Sequence, residues 1–243
     1  MTAPVALALS PHLDDAAFSC GGTLARLARS GWRVVVATAF TASVPDPQGF
    51  ALACQLDKGL GPAVDYMALR REEDAAACTA LGAEPVWLPF AEAPHRGYGS
   101  APELFGDTRS DDAIVPALAD ALRALIDLYE PALVFAPQAI GGHIDHVQLV
   151  RALDSSGVAA PVAWWQDFPY LVRDAAPREP FANRFGTLAE RPISLDEADV
   201  AAKRAACLAY ASQLGFQFGG PDGLDRKLGE AGEVEHFRGA ALP

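Results

Sequence analysis

The sequence predicts an α/β protein with a mostly parallel sheet and helices on both of its faces. Short, continuously apolar segments such as residues 5–9 and 133–136 are typical of strands that are buried on both sides. Segments with apolar residues at i, i+3 and i+4 alternate with these strands along the chain. This alternation of strand and helix indicates a Rossmann-like architecture.

Five segments are expected to form strands, because each is a short apolar run bounded by polar or turn-forming residues. In chain order they cover residues 5–9, 34–37, 85–88, 133–136 and 162–165. Helical spacing marks four other segments, and Leu24, Leu27 and Ala28 define the apolar face of the first. The remaining three cover residues 69–81, 111–129 and 196–211. Beyond Pro161 both patterns become weaker.

Two segments rich in Gly and Pro, residues 41–65 and 91–107, are expected to be long loops. Loops of this length are often functional. No internal repeat, low-complexity tract or linker divides the chain. We therefore expect residues 1–243 to form one domain.

The composition limits the classes of partner. Acidic residues outnumber basic ones by 31 to 19, for a formal charge of −12. Nucleic acids and anionic membrane surfaces need clustered Lys and Arg, so neither is an expected partner, and small neutral or cationic ligands fit better. The chain has no signal-peptide pattern and no run of about 18 apolar residues, so we expect no membrane insertion and a cytoplasmic location. The sequence leaves oligomerisation open.

The four cysteines are expected to be reduced and structural. They lie far apart and form no C-x-x-C pair, so the sequence suggests neither a thiolate zinc knuckle nor a redox motif. Their positions are Cys20, Cys54, Cys78 and Cys207.

Two polar motifs come shortly after predicted strands. His-Leu-Asp-Asp at residues 12–15 follows the first strand, and His-Ile-Asp-His at residues 143–146 follows the strand at 133–136. Ligands of open α/β sheets bind outside the carboxyl ends of the strands. Both motifs are therefore candidates for one shared site.

These motifs contain the ligand types of a catalytic zinc site, which takes three His or carboxylate ligands and keeps a position for water. His12, Asp15 and His146 can supply the ligands, and Asp14 is then free to act as a base. If the loop has turned helical at His143, this residue shares a face with His146 and can reach the substrate.

Other interpretations of the same residues remain open. Asp14 or Asp15 could only cap the helix that follows, because Asp is a preferred N-cap residue. An acidic pair after the first strand is also how receiver-like signalling domains hold Mg²⁺, although neighbouring histidines disfavour that metal. A non-catalytic sugar-binding module on the same fold is the third alternative.

The motifs resemble those of the PIG-L or LmbE-like family of zinc-dependent N-acetylglucosaminyl deacetylases. Residues 12–15 are similar to the His-Pro-Asp-Asp signature of the family, with Leu in place of Pro. Residues 143–146 are similar to its His-Pro-Asp-His signature. The Arg-Arg-Glu-Glu of residues 70–73 and the Tyr-Ala-Ser-Gln of residues 210–213 resemble two further family patterns.

The resemblance implies a Zn²⁺ ion and a set of residue roles. The implied zinc ligands are His12, Asp15 and His146. Asp14 is the implied general base, and a protonated His143 helps the developing oxyanion or the leaving amine. Asp145 is expected to orient His143.

The resemblance also implies a substrate. The expected reaction removes the acetyl group from an N-acetylglucosamine-containing small molecule or glycoconjugate and releases acetate and a free amine. The substrate-contacting Arg of the family corresponds to Arg70. Arg96 is a second expected substrate contact, in a Pro-His-Arg-Gly sequence where relatives often carry Pro-Asp-Arg-Gly.

Overall fold

The computed structural model describes residues 2–243 and places seven strands in one sheet. The strands are β1 (Val5–Ser10), β2 (Arg33–Thr38), β3 (Ala83–Trp87), β4 (Leu133–Pro137), β5 (Val162–Trp165), β6 (Glu190–Ser194) and β7 (Val234–Gly239). Their order across the sheet is β3-β2-β1-β4-β5-β7-β6. The first five in this order are parallel, and β7 runs antiparallel to both β5 and β6. The predicted fold class is confirmed.

Helices cover both faces of this sheet. They are α1 (Asp15–Arg29), α2 (Gly49–Leu56), α3 (Tyr66–Leu81), α4 (Ala101–Leu104), α5 (Ile114–Tyr129), α6 (Ile144–Ser155), α7 (Phe168–Arg173), α8 (Ala182–Phe185), α9 (Glu197–Ala209), α10 (Ala211–Phe218) and α11 (Pro221–Ala231). A short 3-10 helix spans Ala93–Arg96. Helices α5 and α6 pack together on one face, and α1, α3 and α9 pack together on the other.

Alternate residues of β1 explain why its sequence is continuously apolar. Leu7 and Leu9 belong to the core cluster that contains α5 and α6. Ala6 and Ala8 point to the opposite face, where Leu24 of α1 packs. Successive side chains of a strand face opposite sides of the sheet, so a strand covered on both sides needs apolar residues at every position.

The expected loops contain short helices. The prediction of a loop over 41–65 is wrong at α2, and the segment 91–107 contains α4 and the 3-10 helix. Helix α2 is short and apolar at every position from Phe50 to Cys54, so it lacks the alternation of apolar and polar residues that marks an amphipathic helix, and it buries only Gln55. The glycines and prolines that flank α2 also made this helix harder to predict from the sequence.

The antiparallel edge of the sheet, β6 and β7, was not predicted. Both strands are short and polar, and in β7 only Glu235 and Phe237 are buried. The Glu235 carboxylate accepts hydrogen bonds from the backbone N–H groups of Gly22 and Thr23, just after α1 departs from helical geometry at Cys20. The edge strand therefore satisfies backbone donors that the distorted helix leaves open. Within residues 2–243, no helix combines the length and apolar character that a membrane span requires.

Candidate active site

The two polar motifs meet at the switch point of the sheet. Strands β1 and β4 are neighbours, and the chain continues from β1 to β2 on one side and from β4 to β5 on the other. Residues 12–15 follow β1, and His143 is the N-cap residue of α6, which follows β4. The His12 ring lies 4.8 Å from the His143 ring and 5.2 Å from the His146 ring, measured between centroids. The predicted convergence of the motifs is present.

A tight loop fixes the first motif. The Ser10 hydroxyl donates to the His12 carbonyl at 2.7 Å and accepts the Ala16 N–H at 3.1 Å. The Asp15 carboxylate accepts the His12 N–H at 2.9 Å. Asp14 occupies the N-cap position of α1 but makes no side-chain capping hydrogen bond. Capping therefore does not account for Asp14.

Three side chains converge as a metal site requires. Asp15 Oδ2 lies 3.2 Å from His12 Nδ1 and 3.1 Å from His146 Nε2. Among the described residues, His146 Nε2 is buried and has no partner in hydrogen-bond geometry, although Asp15 Oδ2 lies 3.1 Å away. The imidazole nitrogens of His12, His143 and His146 also lie within 4.8 Å of one another. This set of nitrogen and oxygen donors, with one orphaned nitrogen, fits a metal ion.

A carboxylate contacts the far nitrogen of two of these histidines. Asp145 Oδ2 lies 2.9 Å from His12 Nε2, and Asp167 Oδ1 lies 2.7 Å from His146 Nδ1. Metal-ligating histidines usually carry such a partner, which keeps the proton on the far nitrogen and turns the other towards the metal. Asp167, the partner of His146, is not among the site residues predicted from the sequence. Its position two residues after β5, at the same edge of the sheet, was the available signal.

The charges of the cluster favour a cation. Burial lowers the pKa of His146, but Asp15 and Asp167 outweigh it and raise the pKa to about 9. Burial also lowers the pKa of His12, yet hydrogen bonds with Asp145 and Asp15 raise it well above its ordinary value. The surrounding carboxylates thus stabilise positive charge here, either as protons or as a metal ion.

Asp14 lies beside this cluster and is almost fully buried. Burial raises the pKa of Asp14 to about 7, although the positive charge of Arg70 acts in the opposite direction. The Gln217 amide donates to Asp14 Oδ2 at 2.8 Å, and an Arg70 Nη atom lies 3.4 Å from the same oxygen. Arg70 also pairs with Glu92 at 2.9 Å and donates to the Leu13 carbonyl at 2.8 Å. The predicted base and the predicted substrate-contacting Arg are therefore direct neighbours.

His143 and Asp145 differ from their expected arrangement. Burial and then the positive charge of His12 lower the pKa of His143 to about 3. The Asp145 N–H donates to His143 Nδ1 at 3.2 Å, which leaves the ring proton on Nε2. The Asp145 carboxylate lies 4.0 Å from His143 Nδ1 and contacts His12 instead. Asp145 thus orients His143 through its backbone, because its buried carboxylate is taken up by other donors.

Arg96 lies away from the cavity where a substrate could bind. Its guanidinium pairs with Asp145 at 2.7 Å and with Asp112 at 3.0 Å. It also stacks 4.9 Å from the centroid of the Phe40 ring. These contacts make Arg96 a support for Asp145, and Arg96 does not line the cavity, so its contact with a sugar stays a prediction.

A cavity of about 300 Å³ opens onto the two motifs. Asp14, Asp15, His12 and His143 line its inner end. Aromatic side chains from five different segments line the rest, and these are Phe50, Tyr66, Phe105, Tyr170 and Phe216. Helix α2 supplies part of this lining, so the segment 41–65 contributes to the site. A larger cavity of about 900 Å³ lies beyond α7 and contains no residue of either motif.

Helix α3 holds one wall of the cavity in place. The Tyr210 hydroxyl donates to Asp74 at 2.7 Å, and the Ser212 hydroxyl donates to Glu73 at 2.7 Å. These contacts join the two family-like segments at 70–73 and 210–213. They fix the start of α10, whose Phe216 and Gln217 face the site.

Two known proteins with similar sequences are named 2'-N-acetylparomamine deacetylases. A 2'-N-acetylparomamine deacetylase from Streptomyces fradiae is 37% identical over 177 residues, which is 70% of this chain and 59% of that protein. A protein of the same name from Niallia circulans is 30% identical over 235 residues, or 87% of this chain and 81% of that protein. This chain therefore spans less than two thirds of the first relative and about four fifths of the second.

Solved structures of two deacetylases are similar over nearly the whole chain. The zinc-inhibited form of teicoplanin deacetylase Orf2 has a TM-score of 0.83 and 28% identity, and 97% of each chain is covered. The A40926 pseudoaglycone deacetylase Dbv21 has a TM-score of 0.82 and 29% identity, and both chains are covered completely. Residues 7–156 match the family described as PIG-L, GlcNAc-PI de-N-acetylase. With both sequence motifs inside that match, the chain belongs to the PIG-L family.

Proposed function

We propose that this protein is a zinc-dependent N-deacetylase of N-acetylglucosamine-containing small molecules or glycoconjugates, with acetate and a free amine as products. The observation that carries the proposal is the pairing of a carboxylate-backed histidine cluster with Asp14 at the inner end of one cavity. The names of the relatives, a 2'-N-acetylparomamine deacetylase and a teicoplanin deacetylase, support the same chemistry.

His12, Asp15 and His146 hold the zinc ion in this proposal. Asp145 and Asp167 keep the far nitrogens of the two histidines protonated, so that the near nitrogens present lone pairs. When bound there, zinc would supply Lewis-acid chemistry, lowering the pKa of water and polarising a carbonyl oxygen.

Asp14 moves the protons of the reaction. It takes a proton from the water that attacks the acetyl carbon, and it returns this proton to the nitrogen of the leaving amine. Arg70 and Gln217 hold its carboxylate from one side. These contacts keep the base directed at the cavity.

His143 stabilises the charge that develops on the acetyl oxygen. Because its Nδ1 accepts the Asp145 N–H, the neutral ring offers its Nε2–H as a donor. A donor placed before the reaction starts is worth on the order of 10²–10³ in rate in comparable acyl-transfer sites. A charged imidazolium is not needed for this role.

The experiment is metal removal and restoration with acetate release as the readout. Protein stripped by a chelator and reloaded with zinc is incubated with methyl 2-acetamido-2-deoxyglucoside. We expect acetate from the reloaded protein and none from the stripped protein. Absence of acetate from both would favour a non-catalytic sugar-binding module, while membership of the PIG-L family is inconsistent with a receiver-like signalling domain.

An acetylated lysine peptide provides the test of the sugar assignment. The cavity is lined by aromatic rings, which suit the apolar face of a pyranose better than a flexible chain. We expect turnover of the sugar and little of the peptide. Equal kcat/KM for both would reject the sugar substrate but keep the amidase.

A further inference from the structure

We propose that Gln217 is a positioning residue that orients Asp14 for proton transfer. The inference rests on the proposed role of Asp14 as the base. Gln217 lies near the end of α10, outside the residues 7–156 that match the family. A segment beyond the matched region therefore completes the catalytic geometry.

The contact joins positions 203 residues apart in the chain. Gln217 Nε2 donates to Asp14 Oδ2 at 2.8 Å, and Arg70 approaches the same oxygen at 3.4 Å. No described residue donates to Asp14 Oδ1. Two donors thus hold one carboxylate oxygen, and the other oxygen remains for proton transfer.

The carboxylate needs this restraint because the terminal torsion of an Asp side chain has broad, shallow preferences. Arg70 alone restrains it weakly, since 3.4 Å exceeds an ordinary charge-assisted hydrogen bond and the guanidinium also serves Glu92 and Leu13. The amide of Gln217 supplies the short contact. A general base acts efficiently only when its oxygen is within hydrogen-bond reach of the proton.

The surroundings of Gln217 argue against a purely structural role. Its Oε1 atom is buried and has no hydrogen-bond partner among the described residues. A buried unpaired carbonyl oxygen is destabilising, so the side chain is a poor choice for fold stability alone. The contacts that anchor α10 come instead from Tyr210 and Ser212, one to two turns earlier.

A double-mutant cycle on the zinc-loaded full chain tests the proposal. Gln217→Met keeps the length of the side chain and removes its amide donor. We expect kcat for the methyl glycoside to fall by about 10- to 100-fold, the scale of a lost hydrogen bond to a charged group, with KM and zinc content unchanged. In the Asp14→Asn background the same substitution should change kcat by less than about 2-fold, because there is no base left to position.

Matched variants distinguish a loss of positioning from a folding defect. Gln48→Met makes the same substitution at an exposed residue whose amide contacts only the Asp46 carbonyl, and it should leave kcat unchanged. Should Gln217→Met fail to fold, Gln217→Asn keeps the amide but is too short to reach Asp14, and it should show the same loss of kcat.

The outcomes separate the two claims. Two results would overturn the positioning role: a parental kcat in the Gln217 variants, or an equal loss of kcat in the parent and Asp14→Asn backgrounds. The proposed deacetylase function would survive either result, provided that the parent protein releases acetate. Absence of acetate release by the zinc-loaded parent would overturn the proposed function and the role of Gln217 with it.

Discussion

Replacing Asp167 by alanine should weaken metal binding although the residue is not a proposed ligand. Asp167 is fully enclosed and lies 2.7 Å from His146 Nδ1. It also accepts the Ile140 N–H at 2.9 Å. Removing the carboxylate leaves the His146 ring without the partner that selects its tautomer. The lone pair on Nε2 is then no longer enforced.

The expected magnitude follows from these two contacts. Loss of such a carboxylate partner typically costs 10- to 100-fold in metal affinity, or about 1.4–2.7 kcal/mol. The buried Ile140 N–H loses its acceptor as well, which should lower the free energy of unfolding of the metal-free protein by about 1–3 kcal/mol. Asp167→Asn retains an acceptor but not the charge, so we expect an intermediate loss of affinity.

Competition with a fluorescent zinc chelator measures the affinity directly, and urea denaturation of the stripped protein measures the stability. Asp174→Ala is the control, because this exposed carboxylate on the same segment contacts only the Ala176 N–H. Asp167→Ala with the zinc affinity of the parent would refute the idea that His146 binds the metal through Nε2.

Three further substitutions separate metal binding, catalysis and support. His143→Ala should keep stoichiometric zinc by metal analysis and lower kcat by roughly 10²–10³, and loss of zinc would instead make His143 a ligand. Arg96→Met should leave KM for the glycoside unchanged but lower the free energy of unfolding in urea by about 3–5 kcal/mol, because it leaves the buried carboxylates of Asp112 and Asp145 unpaired. A large rise in KM would instead support the expected contact between Arg96 and the sugar. Asp74→Ala should lower the same free energy by about 1–3 kcal/mol, because the buried Tyr210 hydroxyl loses its acceptor. An unchanged midpoint and slope of the urea transition would contradict this anchoring of α10.

The sequence predicts those parts of the fold that are local or strongly periodic. Continuous apolar runs mark β1 and β4 because these strands are covered on both faces. Their carboxyl ends then place His12 and His146 in one site, as the structure shows. Short elements such as α2 and β7 carry no comparable pattern, because most of their stability comes from neighbours that are distant in sequence.

Side-chain partners within the site are harder to predict. The motif His-Ile-Asp-His suggests that Asp145 serves its neighbour His143, yet the carboxylate points to His12 and Arg96. Asp167 and Gln217 belong to no motif, and only the packing of α7 and α10 brings them into contact with His146 and Asp14. Sequence spacing identifies candidate ligands, whereas the residues that orient them depend on tertiary contacts.

The central claim is that two adjacent carboxylates have different tasks, since Asp15 holds the metal and Asp14 moves protons. Measuring zinc per chain and kcat for Asp14→Asn and Asp15→Asn side by side tests it most directly. We predict that Asp14→Asn keeps parental zinc while kcat falls by roughly 10²–10⁴, and that Asp15→Asn loses zinc and activity together. Near-parental kcat in zinc-loaded Asp14→Asn, or loss of zinc from that variant with zinc retained in Asp15→Asn, would contradict the account.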